Sequence, residues 1–177
     1  AGTGLVVTNA DGTLSRSAIS ATALTSLNCT ATGDNATCYG PNASATGDSA
    51  SAFGNSATAL GNFATALGAE SIASGNFATA LGAEAKAATS ATAVGELAKA
   101  SNLGATALGR LANATGISAT ALGVQANASG TSSTALGQSA NASNSGATAL
   151  GTQALASGKY STALGVQASS SGNYATA

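Results

Sequence analysis

Few residues in this chain can do chemistry, and they do not converge on one site. Histidine is absent and charged residues make up 6% of the 177 positions. A nucleophile would need a base other than imidazole, yet Lys86, Lys99 and Lys159 are dispersed along the chain. Glu70 and Glu84 stand one repeat apart, which fits a solvated edge better than acid–base work. Asp34 and Asp48 lack the Gly-Gly-x-Gly-x-Asp context of calcium-binding repeats and read as turn residues. No catalytic, metal or cofactor site is expected, and an enzyme is not expected.

Cys29 and Cys38 are the only cysteines. Without histidine they make a poor zinc site. A local structural disulfide, implying an oxidising compartment, is the favoured reading, with two free thiols as the alternative. Asn28-Cys-Thr, Asn35-Ala-Thr, Asn42-Ala-Ser, Asn113-Ala-Thr, Asn127-Ala-Ser and Asn141-Ala-Ser match the N-glycosylation acceptor pattern. In a chain this rich in Asn, Ser and Thr, chance accounts for most such matches. A net charge of −1 gives no electrostatic footprint for nucleic acid or an anionic membrane. No apolar run is long enough for a membrane-spanning helix, and no signal peptide stands at Ala1. The chain stops within a repeat at Tyr174-Ala-Thr-Ala177, as a piece of a longer protein would.

What positions these residues is a beat of glycine every seven residues. It runs from Gly33 to Gly82, loses one residue, and resumes from Gly95 to Gly172 with Asn102 and Asn144 in two glycine places. Asparagine tolerates left-handed backbone, so the substitutions suggest positive φ at every beat. The full unit has fourteen residues, as in Ser118-Ala-Thr-Ala-Leu-Gly-Val-Gln-Ala-Asn-Ala-Ser-Gly130. A heptad coiled coil is rejected: a glycine in every heptad costs about 1 kcal/mol relative to alanine, and charges at e and g are missing. Short strands joined by two bends per unit fit better, giving an all-β solenoid of about ten coils, roughly 50 Å long at ~4.8 Å per coil.

Alternation puts Ser118, Thr120 and Leu122 on one side of a strand and Ala119 and Ala121 on the other. In the second half Val124, Ala126 and Ala128 form one set, with Gln125 and Asn127 as the polar complement. Stacked coils place Leu122 between Leu108 and Leu136. Thr120, Leu122, Ala126 and Ala128 are expected to fill the interior, leaving a flat alanine face at Ala119 and Ala121 to pack against other copies in an obligate homo-oligomer. Phe63, Phe77, Tyr160 and Tyr174 share one slot, two residues after a beat glycine, and are expected to plug the core's edge, with an aromatic ligand-binding stripe as the alternative. The ladder Thr106, Thr120, Thr134, Thr148 and Thr162 would suit an ice-binding solenoid if it pointed outward, but it shares parity with leucine.

Residues 1–32 depart from the pattern and read as an N-terminal cap or the end of a preceding module, with 33–177 as the repeat domain. Leu5-Val-Val-Thr8, Asn9-Ala-Asp-Gly12 and Thr13-Leu14 suggest a hairpin, and Ser20-Ala-Thr-Ala-Leu24 a repeat lacking its glycine. The residue lost between Gly82 and Gly95 should shorten one bend and be absorbed locally.

The Ser-Ala-Thr-Ala-Leu-Gly-x-x-Ala-x-Ala-x-Gly unit resembles the head repeats of the trimeric autotransporter adhesins, the YadA-like family. Thr120, Ala121, Leu122 and Gly123 stand where that family's Ser-Val-Ala-Ile-Gly motif has Val, Ala, Ile and Gly. The resemblance implies a left-handed parallel β-roll assembled as a homotrimer, carried on a stalk and an outer-membrane anchor and displayed on the bacterial surface. It further implies attachment to host cells or extracellular-matrix proteins, and autoaggregation. A passive spacer that only projects another domain is the alternative within the same architecture.

Overall fold

The computed structural model describes residues 6–8, 14–16 and 28–177. Strands β1 (Val6–Thr8) and β2 (Leu14–Arg16) pair antiparallel, Val6 opposite Arg16 and Thr8 opposite Leu14, the hairpin expected near the N-terminus. Its turn, residues 9–13, and the segment Ser20–Leu24 lie outside the described residues.

Between Thr30 and Ser170 run twenty-one further strands, β3 to β23, in two parallel sheets. Each coil contributes one three-residue strand, such as β16 (Thr120–Leu122), and one two-residue strand, such as β17 (Asn127–Ala128). The long strands stack into a ten-stranded sheet and the short ones into an eleven-stranded sheet, making a β-solenoid. Alanine alone would favour helix, but the glycine beat interrupts every second turn of one. Here the backbone bonds instead to the neighbouring coil, as when Thr120 N–H donates to Ser133 C=O at 2.9 Å. Leu108 pairs with Leu122 and Leu122 with Leu136, the ladder expected from the fourteen-residue unit.

The parity holds in both strands, and Ala126 and Ala128 face inward as expected, but the long strand faces the opposite way from the expectation. Ala119, Ala121, Ala126 and Ala128 are fully buried, whereas Leu122 faces outward and is 36% exposed, with Thr120 half-buried beside it. The same arrangement holds at Ala107/Leu108 and Ala135/Leu136. Two sheets joined by bends this short approach too closely for anything larger than a methyl layer, so size overrides hydrophobicity. Val124 also leaves its expected set and is exposed, because it lies in a bend where alternation no longer applies. The core is a column of alanines, each offering only about 0.8 kcal/mol of methyl burial. Ser71, Ser133 and Ser161 enter the column fully buried. Each returns its hydroxyl to the carbonyl three residues back, on Gly68, Gly130 and Gly158, at 2.9, 2.7 and 2.7 Å. They stay alanine-sized and leave no buried donor unpaired.

The two corners of each coil use glycine differently. After the long strands Gly123 has φ +138, a region closed to other residues, and the equivalent Gly109 and Gly137 have φ +131 and +132. After the short strands Gly61 lies outside the positive-φ set, but a Cβ there would run into the backbone of Gly75 in the next coil. Crowding, not φ, demands glycine at that corner. Asn102 and Asn144 stand at that second corner with ordinary φ, so positive φ does not hold at every beat.

The regular left-handed sites come two residues after each beat. Nineteen non-glycine residues occupy them with φ between 53 and 60°, among them Ser118, Gln125 and Tyr160. Each costs about 1 kcal/mol of backbone strain. In return the left-handed turn aims the residue's N–H along the rod: Ser118 donates to Leu103 C=O at 2.9 Å and Gln125 to Arg110 C=O at 3.0 Å. Where asparagine replaces the corner glycine, glycine takes the left-handed site, at Gly104 and Gly146 with φ 65 and 64°. The asparagine side chains then bind the following coil, Asn102 Nδ2 donating to Thr115 C=O at 2.6 Å and Asn144 Nδ2 to Ser157 C=O at 3.2 Å.

The lost residue is absorbed in one bend, as expected. β10 (Thr79–Leu81) pairs with β12 (Thr92–Val94) and β11 (Lys86–Ala87) with β13 (Lys99–Ala100), each thirteen residues on instead of fourteen. Ala88 N–H donates to Ala100 C=O at 2.9 Å, as Ser74 N–H does to Ala87 C=O, so Ala88 matches Ser74 and Thr89 follows directly. The missing residue is the corner glycine.

Candidate functional surfaces

Among the described residues the charged side chains are all exposed and do not form a cleft. Lys86 and Lys99 are register partners on the outer side of the short-strand sheet, while Lys159 lies at a distant corner. Glu70 and Glu84 hold equivalent left-handed corner sites on adjacent coils, φ 56° at both, and are exposed. Asp34 and Asp48 lie in the turns after the short strands. Asp48 Oδ1 accepts from Asp34 N–H at 3.1 Å, and Asn62 and Asn76 continue the ladder, accepting from Asp48 and Asn62 N–H at 3.1 and 3.0 Å. These side chains brace consecutive turns. Among the described residues no three His, Cys, Asp or Glu groups stand together as a metal site.

Cys29 and Cys38 are joined by a disulfide, with their Cα atoms 6.0 Å apart. β3 (Thr30–Ala31) pairs with β5 (Ser44–Ala45), and β4 (Thr37–Tyr39) with β6 (Ser51–Phe53). By that register Cys29 stands where the next coil has Ala43 and Cys38 where it has Ala52, both core alanines. The bridge therefore crosses the inner layer from one sheet to the other.

The outer face of the long-strand sheet is apolar along its length. It presents Leu67, Leu81, Val94, Leu108, Leu122, Leu136, Leu150 and Leu164 in one rank, each beside a threonine two residues earlier. At its N-terminal end Tyr39 and Phe53 continue the rank in leucine's place. The sequence carried this signal in the position of Phe53 and Tyr39 one and two repeats before Leu67, but reading leucine as core concealed it. The threonine ladder faces outward too, so parity with leucine gives no reason to place it inside.

The four aromatics of the shared slot are also outside. Phe63 and Phe77 occupy left-handed corners and stack with centroids 5.3 Å apart and planes 2° apart. Tyr160 and Tyr174 stack at 5.3 Å and 22°, with Lys159 Nζ 5.3 Å from the Tyr160 centroid. Phe77 is 61% exposed, and none of the four plugs the core edge, because a left-handed corner turns its side chain away from the coil. The Tyr160 ring instead lies against Gly146, in the space a Cβ would take.

On the short-strand sheet the outer rank is polar except at Ile72 and Leu155. Asn113 Nδ2 donates to Asn127 Oδ1 at 2.9 Å and Asn127 Nδ2 to Asn141 Oδ1 at 3.1 Å. Such amide ladders need identical residues at identical heights, which the fourteen-residue register supplies.

A search of curated proteins returns no match. A comparison with protein families matches the YadA head domain repeat (2 copies) at residues 39–64, 45–71, 59–85, 73–90, 87–112, 114–140, 128–154 and 156–177. These matches lie between residues 39 and 177 and cover well over half of the chain. The chain therefore belongs to the family of YadA head domains, an adhesin-type surface domain.

Proposed function

We propose that this chain is the head of a trimeric adhesin that attaches a bacterium to host cells or extracellular matrix and takes part in autoaggregation. Its place is the outer surface, carried by an outer-membrane anchor. The observation that supports this reading is the leucine–threonine face. Leu67, Leu108, Leu122, Leu136, Leu150 and Leu164 stand in one rank and are each 36% exposed or more, and a contiguous apolar stripe of this kind marks an association surface. Three copies related by a three-fold axis would bring three such faces together, closing the contact without leaving an edge. The leucine face is the surface that supports such a contact, because the alanines expected to make it are interior. Assembly leaves the short-strand sheet and the corners outside, where repetition makes any contact multivalent.

Light scattering of the folded protein should give three times the chain mass of 16.3 kDa. Leu122→Arg together with Leu136→Arg should drive the mass to one chain or to aggregates. A parent that is a stable monomer would sink the reading. Surface plasmon resonance of the assembled head over collagen, fibronectin and laminin separates an adhesin from a spacer, since a spacer binds none of them specifically. Because the threonines face outward, freezing-point depression is also measured. None is expected, as each threonine is flanked by a leucine that three-fold assembly would bury.

A further inference from the structure

Five of the six Asn-x-Ser/Thr tripeptides fall into two structural kinds, and the sixth, at Asn28, spends its nitrogen on Asn42. Asn113, Asn127 and Asn141 are strand residues, half-buried and laced to one another through their side-chain amides. A nucleophilic Asn113 or Asn127 nitrogen would have to leave its hydrogen bond, while Asn141 donates none among the described residues but is half-buried in its strand with its Oδ1 held by Asn127. A sugar on any of the three would overlie the next coil ~4.8 Å away. Asn35 and Asn42 are different. They occupy left-handed corner sites with φ 57 and 58°, one at each corner of the disulfide-closed coil, and both are exposed. Asn42 Oδ1 accepts from Asn28 Nδ2 at 3.3 Å, which occupies Asn28's nitrogen and leaves Asn42's own nitrogen out of that bond. Among the described residues neither Asn35 Nδ2 nor Asn42 Nδ2 donates a hydrogen bond to the protein. Along each corner the next left-handed residue is a serine, Ser49 after Asn35 and Ser56 after Asn42, so there is room for a bulky group.

We propose that Asn35 and Asn42 are acceptor sites for an N-linked sugar, and that the three strand asparagines are not. The donor is a hexose carried on a diphosphate, of a nucleotide or a polyprenol, and a transferase supplies a carboxylate base. The Asn Nδ2 bonds to sugar C1 while the C1–O bond to the diphosphate breaks and the diphosphate leaves with its electron pair. One amide proton passes to the base. Thr37 and Ser44 complete the two tripeptides and stand in the strands that follow each corner, within reach of the same enzyme.

The test uses the folded, assembled protein with a soluble N-glycosyltransferase specific for Asn-x-Ser/Thr and UDP-glucose, beside the same chain unfolded in mild urea. Intact mass and peptide mapping locate the hexose. Up to two hexoses are expected on the folded protein, at Asn35 and Asn42. Asn35→Gln and Thr37→Ala should each remove the first, Asn42→Gln and Ser44→Ala the second, and Asn127→Gln neither. Hexose on Asn113, Asn127 or Asn141 of the folded protein overturns the proposal. So does absence of hexose from Asn35 and Asn42, whether or not the unfolded chain accepts it.

Discussion

The corner after the long strands and the corner after the short strands carry glycine at the same interval, yet they are constrained in different ways. At Gly123 and its equivalents the backbone sits at a φ that only glycine adopts, and a Cβ would also crowd the next coil. At Gly61, Gly116 and Gly130 the φ is ordinary and only the neighbouring backbone stands in the way. Two asparagines have entered the second kind of corner, at Asn102 and Asn144, each with glycine two residues later. None has entered the first kind: from Gly40 to Gly165 every coil keeps glycine there. One beat thus hides two constraints, one conformational and absolute, the other steric and open to local adjustment.

The contrast can be broken by substitution, read as thermal unfolding followed by circular dichroism. Gly123→Ala meets both constraints and should cost roughly 3–5 kcal/mol, combining strain with overpacking against Gly137. If it melts within a degree or two of the parent, the two corners do not differ as described. Gly146→Ala should cost about 1–2 kcal/mol, because its φ of 64° is tolerable but its Cβ displaces the Tyr160 ring. Its near-ultraviolet signal from Tyr160 and Tyr174 should change with it. The smallest effect, about 1 kcal/mol or less, is expected for Gly116→Asn combined with Ser118→Gly, which copies the natural pair Asn102 and Gly104. Loss of the whole transition in that double variant would show that the asparagine corners depend on something beyond the exchange.

Much of the fold could be read from the residues: the fourteen-residue unit, strands instead of helices, the stacking of Leu108 on Leu122, and the short coil. All of these follow from period and register, which a sequence displays directly. The inside and the outside could not be read from period alone, because Ala121 and Leu122 alternate equally well whichever way the strand faces. Hydrophobicity favoured burying Leu122. The width of the coil, a tertiary quantity, decided for Ala121. The same gap misplaced Phe63 and Tyr160, whose left-handed corners are not announced by residue type: Phe, Leu, Gln, Glu and Ser all occupy them. The family was legible because its motif recurs with its spacing, whereas the outward apolar rank became visible only once the coil had a thickness.

The bend that lacks a glycine, between Ala87 and Ala91, gives an otherwise monotonous rod an origin. A stack of identical coils has no landmark, and a neighbour slid by one coil would meet the same leucines at the same heights. Here the coil of thirteen residues falls at one level only, and Val94 takes leucine's place at that level. Tyr39 and Phe53 mark the other end of the same rank. Sliding a second copy by one step would set Val94 against Leu108 and Phe53 against Leu67, a mismatch at both marks. Val94 would serve as a phase reference: side-by-side copies that match there would match along their whole length.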